Sequence, residues 1–410
     1  MSDSRAYLTD FRPRYRPPSA ADLCTPVPCM TTRQTNEEVL EVFSRHRDLI
    51  ALPVVEDGRP IGLINRNIFL SQMSKQFRLE LYGRKSCIAF MDKEPLVVDA
   101  GMDIDTLTIR TVECGEKALS DGFIITREGA FAGVGSGLQL MRVVADVQAS
   151  RHRQIMHSIE YASVIQQSTL RTSRDALARV CPQAHLVWEP RDVVGGDFYQ
   201  FSQGDGGWFG AVADCTGHGV PGAFMTLIAS TSLAQAIDRQ GAADPARLLG
   251  SVNRAIKQVL GQIEGGDGAP GSDDGMDAAF FWIDTAAQQL VFAGARLSLY
   301  VLRPASDTVD VIEGQRQGVG YVDSATDYAW QNHAVALPGG SLVFIATDGL
   351  TDQVGGPRAI ALGKRRIREL LLQHRSASPA EINRAVQEGL QAWQGEHSRR
   401  DDVTFLAFRC

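Results

Sequence analysis

Residues 141–170, MRVVADVQASRHRQIMHSIEYASVIQQSTL, contain neither glycine nor proline and set Val147, Ile155, Ile159, Ala162 and Ile165 along one side at three- and four-residue steps. That spacing predicts one amphipathic helix, and at about 1.5 Å per residue it runs on the order of 45 Å. A rod of that length does not fold back into a single small core, so it separates an N-terminal portion of the chain from a C-terminal one. Its apolar side serves either ordinary core packing or a parallel coiled-coil seam that carries a signal by changing dimer geometry. Gln148 and Gln166 interrupt a strict heptad. The chain's 410 residues also exceed one ordinary core and lead us to expect two or three domains.

Before the helix, an Arg/Pro-rich leader (1–19) gives way to TNEEVLEVFSRHRDLIALPVVED, where Val39, Leu40 and Phe43 have helical spacing. An apolar strand from Ala51 to Val55, the turn Glu56-Asp57-Gly58, a strand from Pro60 to Ile64 and a helix around Ile68–Met73 come next. The order recurs: strand Gly122 to Thr126, turn Arg127-Glu128-Gly129, strand Ala130 to Gly133, then a helix from about Leu138. LPVVEDGRPIGLINRNIF and DGFIITREGAFAGVGSGLQLM together resemble a tandem pair of CBS modules, an α/β domain spanning 20–147. Repeats of this size pack as one pseudo-symmetric domain. The resemblance implies an adenine-nucleotide site built on a Ser or Thr and a ribose-binding Asp. Those places hold Asn65 with Ile68 and Ser136 with Gln139, so the ribose carboxylate is missing twice, and a scaffold or dimerisation role is the plainer expectation.

Composition excludes several classes. Hydrophobic residues are 44% and charged residues 22%, as in folded globular chains. A formal net charge of −7 offers no general attraction to phosphate backbones, so nucleic acid is not an expected partner. Seven scattered cysteines form no CxxC pair and no zinc spacing, which fits reduced thiols in a cytoplasm. The N-terminus lacks the apolar run of a signal peptide, and no later stretch is read as a membrane span, so a cytoplasmic protein without a membrane partner is expected.

After a helical linker (148–180), residues 181–410 turn β-rich: AHLVWEP, WFGAVADC, AAFFWID, QLVFAGA, LSLYVLRP, GSLVFIATD and DDVTFLAFR, with helical stretches near 221–239, 245–260 and 379–394. Clustered rather than alternating elements predict an α+β layered sandwich. Within it, Asp197 (VVGGDFY), Asp214 (AVADCTGHG), Asp348 (FIATDGL) and Asp401 or Asp402 (RRDDVTF) each border an apolar strand beside small residues. An ionised carboxylate there is costly unless it is paired or bound to a cation, and no matching set of basic residues accompanies them. Oxygen ligands without His or Cys select hard ions, Mg²⁺ or Mn²⁺. Two such ions bridged by a carboxylate can activate a water and neutralise a phosphoryl group.

VVGGDFYQF, ADCTGHGVPGAFMT, FAGARLSLY, ATDGLTDQ and RRDDVTFLAF resemble, in order and wording, the PPM (PP2C-like) phosphatases of the SpoIIE-type branch over about residues 180–410. The resemblance implies a β-sandwich flanked by helices and a protein serine/threonine phosphatase working through a water between two Mg or Mn ions. It implies that Asp214 bridges both ions and that Asp197 and the Cys215 backbone carbonyl join it at one. Asp348 and Asp401 join it at the other, with Asp402 the rival to Asp401. Gly217, Gly219 and Gly222 fit a tight turn into a helix with Pro221 in its first turn. His218 belongs to that turn and is expected to be structural.

Relatives clamp the substrate phosphate with an arginine. Arg191 lies near the equivalent place without clear register, and Arg296 in FAGARLSLY is the second candidate, since an arginine fork suits a phosphate. Each also fits a salt-bridge role. The acid- and glycine-rich 261–277 stretch is expected to form a linker or flap, and its carboxylates could also recruit a third ion. The wording is similar to SiaA-like phosphatases of biofilm regulation, which implies a small phosphorylated STAS-like or related partner-switching substrate and a homodimer. The alternative is a catalytically idle phosphoprotein-binding or nucleotide-sensing module.

Overall fold

The hairpin repeat read from the sequence is present down to its backbone angles. In this computed structural model, which describes residues 16–262, 273–304 and 306–410, α1 (Asn36–Arg45) precedes β1 (Ala51–Glu56) and β2 (Arg59–Asn65). Thr35 and Glu38 form a capping box at its start, and Val39 and Phe43 are buried on its inner face. Then come α2 (Arg66–Met73), α3 (Arg78–Tyr82), β3 (Val97–Asp99), α4 (Ile104–Glu113), α5 (Glu116–Asp121), β4 (Phe123–Arg127) and β5 (Ala130–Gly135). The β1–β2 turn holds Asp57 and Gly58 at φ 48° and 77°, and the β4–β5 turn holds Glu128 and Gly129 at 54° and 80°. Two successive positive φ angles match the right-handed strand twist, which is why each turn ends in glycine. Both hairpins shift register at equivalent points, Val54/Val55 and Ile125/Thr126. Ala51, Leu63 and Ile124 form one buried cluster, so the two modules share a core.

The long helix is α6 (Gly137–Val180). The chain divides into two compact units, Met1–Gln154 and Ile155–Cys410. Within the second unit α6 buries Ser163, Leu170, Ser173 and Leu177. Of the apolar side read from the sequence, Val147 is buried, whereas Ile155 and Ile165 are 59% and 52% exposed.

The second unit continues through β6 (His185–Glu189), β7 (Asp197–Gly204), β8 (Gly207–Cys215), α7 (Gly219–Gln240), α8 (Pro245–Leu260), β9 (Met276–Asp284), β10 (Gln289–Ala295), β11 (Leu299–Leu302), β12 (Asp310–Ile312) and β13 (His333–Ala336). It ends with β14 (Leu342–Ala346), α9 (Asp348–Thr351), β15 (Val354–Gly355), β16 (Ile360–Ala361), α10 (Gly363–Gln373), α11 (Pro379–Gln394) and β17 (Val403–Arg409). Two five-stranded antiparallel sheets, ordered β13-β10-β9-β8-β7 and β12-β11-β14-β17-β6, face each other. Trp208, Phe281 and Phe408 join them, with ring centroids 5.2–5.5 Å apart. Helices α7 and α8 cover the first sheet. Over the second, α10 and α11 bury Ile367, Leu371, Ile382, Val386 and Leu390. This is the α+β sandwich flanked by helices, with β7, β12, β13, α9, the short β15–β16 pair and α10 added to the elements read from the sequence.

One helix among the described residues is long and apolar enough to cross a membrane, namely α7, contrary to the expectation of none. It buries Met225, Ala229 and Leu233 in the sandwich core. Most of the expected 261–277 flap, residues 263–272, lies outside the described residues.

Candidate metal centre

Strand register builds the first half of the site. Asp197 opens β7 and faces Asp214 across the β7–β8 ladder, while Asp214 faces Asp277 across β8–β9. Directly opposed residues share a sheet face, so three carboxylates stand side by side. The second sheet supplies the rest: Asp348 comes just after β14, Asp401 and Asp402 precede β17, and those two strands pair. Thr347 ties the halves together. Its hydroxyl donates to Asp197 Oδ2 at 2.9 Å and accepts from Thr404 N at 3.0 Å.

Asp197 is fully buried, and its Oδ1 has no hydrogen-bond partner. Burial pushes the Asp197 carboxyl well above the usual range, and Asp402 and Asp348 push it further. Burial does the same to Asp214, reinforced by Asp197, Asp348 and Asp401. Asp348 is raised by burial and by Asp352 and Asp401. Among the described residues no Lys or Arg forms an ion pair with Asp197, Asp214, Asp348, Asp401 or Asp402. A mutually repelling oxygen set without a counter-cation, with Asp197 and Asp402 buried in it, fits hard divalent ions. As they stand, no three His, Cys, Asp or Glu side chains among the described residues converge closely enough to hold an ion.

The adjacent aspartates 401 and 402 have different surroundings. Asp402 is buried, and its two oxygens accept from Arg191 N and Gly196 N, each at 2.6 Å. That carboxylate is occupied in holding the loop before Asp197. Asp401 is half-exposed, and its charge acts on Asp214 and Asp348. The glycine of ATDG is required by contact: a Cβ on Gly349 would lie 1.9 Å from Asp402 O. Likewise a Cβ on Gly222 would lie 2.2 Å from Gly217 O, so the turn into α7 closes only without side chains.

Cys215 N donates to Gly196 O at 3.0 Å, which holds the Cys215 peptide beside the Asp197 loop. His218 sits at the α7 N-cap, half-exposed, with Nδ1 2.8 Å from Asp192 Oδ2. Its described partner is therefore Asp192 rather than the carboxylate group. Arg191 donates from Nη1 to Arg400 O at 3.1 Å. Arg296 lies at the Asp277 end of the carboxylate row, its Nη1 3.3 Å from Asp277 Oδ1 and its guanidinium 4.5 Å from the Tyr321 ring centroid.

Sequence reasoning left Asp277 in the 261–277 linker or flap, whereas it lies in β9, and passed over Tyr321. Asp277 carried the same signature as the other four, a carboxylate bordering an apolar strand in GMDAAFF. Burial raises it to about 6, opposed by Arg296 and reinforced by Asp348. Tyr321 had no local signal, because it reaches the site from the long segment between β12 and β13.

A sandwich of this topology with carboxylates gathered from both sheets defines a PP2C-type protein serine/threonine phosphatase. The SpoIIE family model, Stage II sporulation protein E, matches residues 204–410, and the CBS domain model matches residues 20–75. The structure is similar to the SiaA PP2C domain of Pseudomonas aeruginosa at 37% identity and TM-score 0.56, covering 64% of this chain and 99% of that one. It also matches the PP2C domain with a regulatory fragment of SpoIIE from Bacillus subtilis (16%, TM-score 0.44, 55% of this chain, 61% of that one). A further match is RsbX in complex with magnesium (18%, TM-score 0.38, 55% of this chain, 92% of that one). No curated protein matches. The chain belongs to the SpoIIE family of PP2C-type phosphatases and carries a CBS domain at its N-terminus. Phosphatases of this family use divalent metals.

Proposed function

We propose that this chain hydrolyses phosphoserine or phosphothreonine on a small regulatory, STAS-like or related protein, using two Mg or Mn ions. The observation that carries the reading is the Asp197–Asp214–Asp348 group, with Asp197 fully buried, its carboxyls raising one another, and no described Lys or Arg ion pair. Asp214 would bridge, Asp197 and the Cys215 carbonyl would complete one ion's protein ligands, and Asp348 and Asp401 would complete the other's. When bound, such ions supply Lewis-acid activation of water and neutralise charge on the phosphoryl group. The chain's own part is to fix the ligands: Thr347 orients Asp197, and Asp402 pins the Gly195-Gly196 loop. Arg191 and Arg296 are the side chains suited to grip phosphate oxygens.

The N-terminal unit and α6 act as the regulatory input. Support for a homodimer comes from apolar side chains left exposed on the second unit, Tyr161 and Ile165 on α6 and Phe224 and Leu227 on α7. Sedimentation of the full chain tests it, and a monomer at micromolar concentration rejects it. The nucleotide reading gains no support from side chains already engaged: Asn65 caps α2 and donates to Asp121, and Ser136 bonds Gln139. Partner-switching in a cytoplasmic biofilm circuit rests on the SiaA-like wording of the motifs.

The primary test is phosphate release from phosphothreonine and phosphoserine peptides and from para-nitrophenyl phosphate, with EDTA, Mg²⁺ or Mn²⁺. Turnover abolished by EDTA and restored by metal is expected. Silence under every metal from folded protein would favour the idle binding module.

A further inference from the structure

Arg296 is held in a way that ordinary surface arginines are not. Its backbone adopts φ 62°, a left-handed conformation that a branched or long side chain enters only when its surroundings impose it. Here they do: Arg296 N donates to Gln315 O at 2.7 Å, and Leu297 N closes onto Ala295 O at 2.8 Å. The side chain is fixed at three points. Nε donates to Arg316 O at 3.2 Å, Nη1 meets Asp277 Oδ1, and the guanidinium lies over the Tyr321 ring. None of the described contacts uses Nη2.

Tyr321 is fixed in turn. Its hydroxyl donates to Asp277 Oδ1 at 3.4 Å and accepts from Thr216 Oγ1 at 3.3 Å. Its backbone belongs to residues 313–332, a connection with no regular structure and of a length usually retained for function. The fully buried Asn253 and Lys257 of α8 anchor that connection. Asn253 accepts from Gly320 N at 2.7 Å and donates to Ala325 O at 2.9 Å, and Lys257 Nζ donates to Tyr321 O at 2.6 Å. Gln262, just beyond α8, donates to Gly320 O at 2.6 Å.

The chain of contacts leads to the metal centre, because Asp277 is the register partner of Asp214 and the next residue, Ala278, bridges to Arg296. A mobile arginine there would be drawn into the carboxylate group and compete with the cations. A carboxylate of its own, one strand away, prevents that.

We propose that Asp277 and Tyr321 are positioning residues that hold the Arg296 guanidinium at the edge of the carboxylate group, as the fork that receives the substrate's phosphate. Of the two arginines, this assigns the phosphate to Arg296 and leaves Arg191 as a backbone tie. It rests on the phosphatase reading above, and the test separates the two. In the full-length protein with Mn²⁺, inorganic phosphate binding is measured by calorimetry and phosphothreonine-peptide hydrolysis by kinetics.

Arg296→Ala is expected to weaken phosphate binding and raise KM by about tenfold, with Arg296→Lys recovering part of the loss. Asp277→Asn and Tyr321→Phe should shift the same two quantities by about threefold to tenfold while kcat changes less than about twofold. Arg191→Ala should weaken phosphate binding less than Arg296→Ala does. If Arg296→Ala binds phosphate like the parent, or if Asp277→Asn and Tyr321→Phe move neither quantity, the proposal is overturned. Arg296-dependent phosphate binding without any hydrolysis would uphold it and reject the catalytic reading instead.

Discussion

Gln166 of α6 grips the backbone of Gly195 with both ends of its amide: Nε2 donates to Gly195 O at 2.7 Å, and Oε1 accepts from Gly195 N at 3.2 Å. Gly195 lies two residues before Asp197, and Asp402 holds the neighbouring Gly196 from the other side. Helix α6 therefore has a direct hold on the loop that carries Asp197, one of the proposed metal ligands. Removing this clamp frees two backbone groups, each worth about 0.5–1.5 kcal/mol when bonded. Gln166→Ala is expected to raise the Mn²⁺ concentration for half-maximal activity by about threefold to tenfold, with much less effect on the rate at saturating metal. A metal titration of activity reads this, and an unchanged midpoint would show that α6 does not act through Gly195.

Asp214 stands at the centre of the carboxylates, register partner of both Asp197 and Asp277. Asp214→Asn removes one charge from a mutually repelling group without changing its shape. Turnover should fall by at least about a thousandfold, since an open ligand set cannot hold both ions in place. The metal-free protein should melt no lower than the parent, because a buried repulsion is relieved. Loss of activity together with a collapsed melting temperature would mean that Asp214 is structural.

The two adjacent aspartates before β17 separate binding from folding. Asp402 satisfies two backbone N–H groups, Arg191 and Gly196, so Asp402→Ala is expected to destabilise the protein by about 2–4 kcal/mol in urea unfolding. Asp401→Ala, at a half-exposed position, should cost less than about 1 kcal/mol yet raise the metal requirement strongly. The reversed pattern would make Asp402 the ligand.

How much of the fold and site was legible in the sequence depended on whether the signal was local. The paired hairpins, α7, α8 and α11 wrote themselves as apolar periodicity broken by turn residues, and four ligand candidates as carboxylates at strand ends. Gln166 looked like a flaw in a heptad because its partner, Gly195, is 29 residues away. Tyr321 was invisible for the same reason: it is placed by Asn253 and Lys257, which read as ordinary polar residues of a helix. The Asp401/Asp402 choice was closed to spacing because only the loop folded against Asp402 distinguishes them.

The raised carboxyls also set the sign of a pH effect. Asp277 rises from an ordinary 3.8 to about 6, and Asp197, Asp214 and Asp348 shift the same way. A carboxyl whose folded value lies above its unfolded one binds more protons when folded. Its stabilising contribution is therefore present at low pH and is lost as pH climbs from about 4 through about 6 and above. Without metal, the catalytic unit should become less stable between about pH 5 and about pH 8, against the trend of salt-bridged acids. Bound divalent ions favour the ionised carboxylates, so their stabilisation should grow over the same interval. Melting curves with EDTA and with Mn²⁺ across that range should diverge as pH rises, by several degrees for each kcal/mol gained. Parallel curves would mean that these carboxyls neither repel one another in the free protein nor bind the ions.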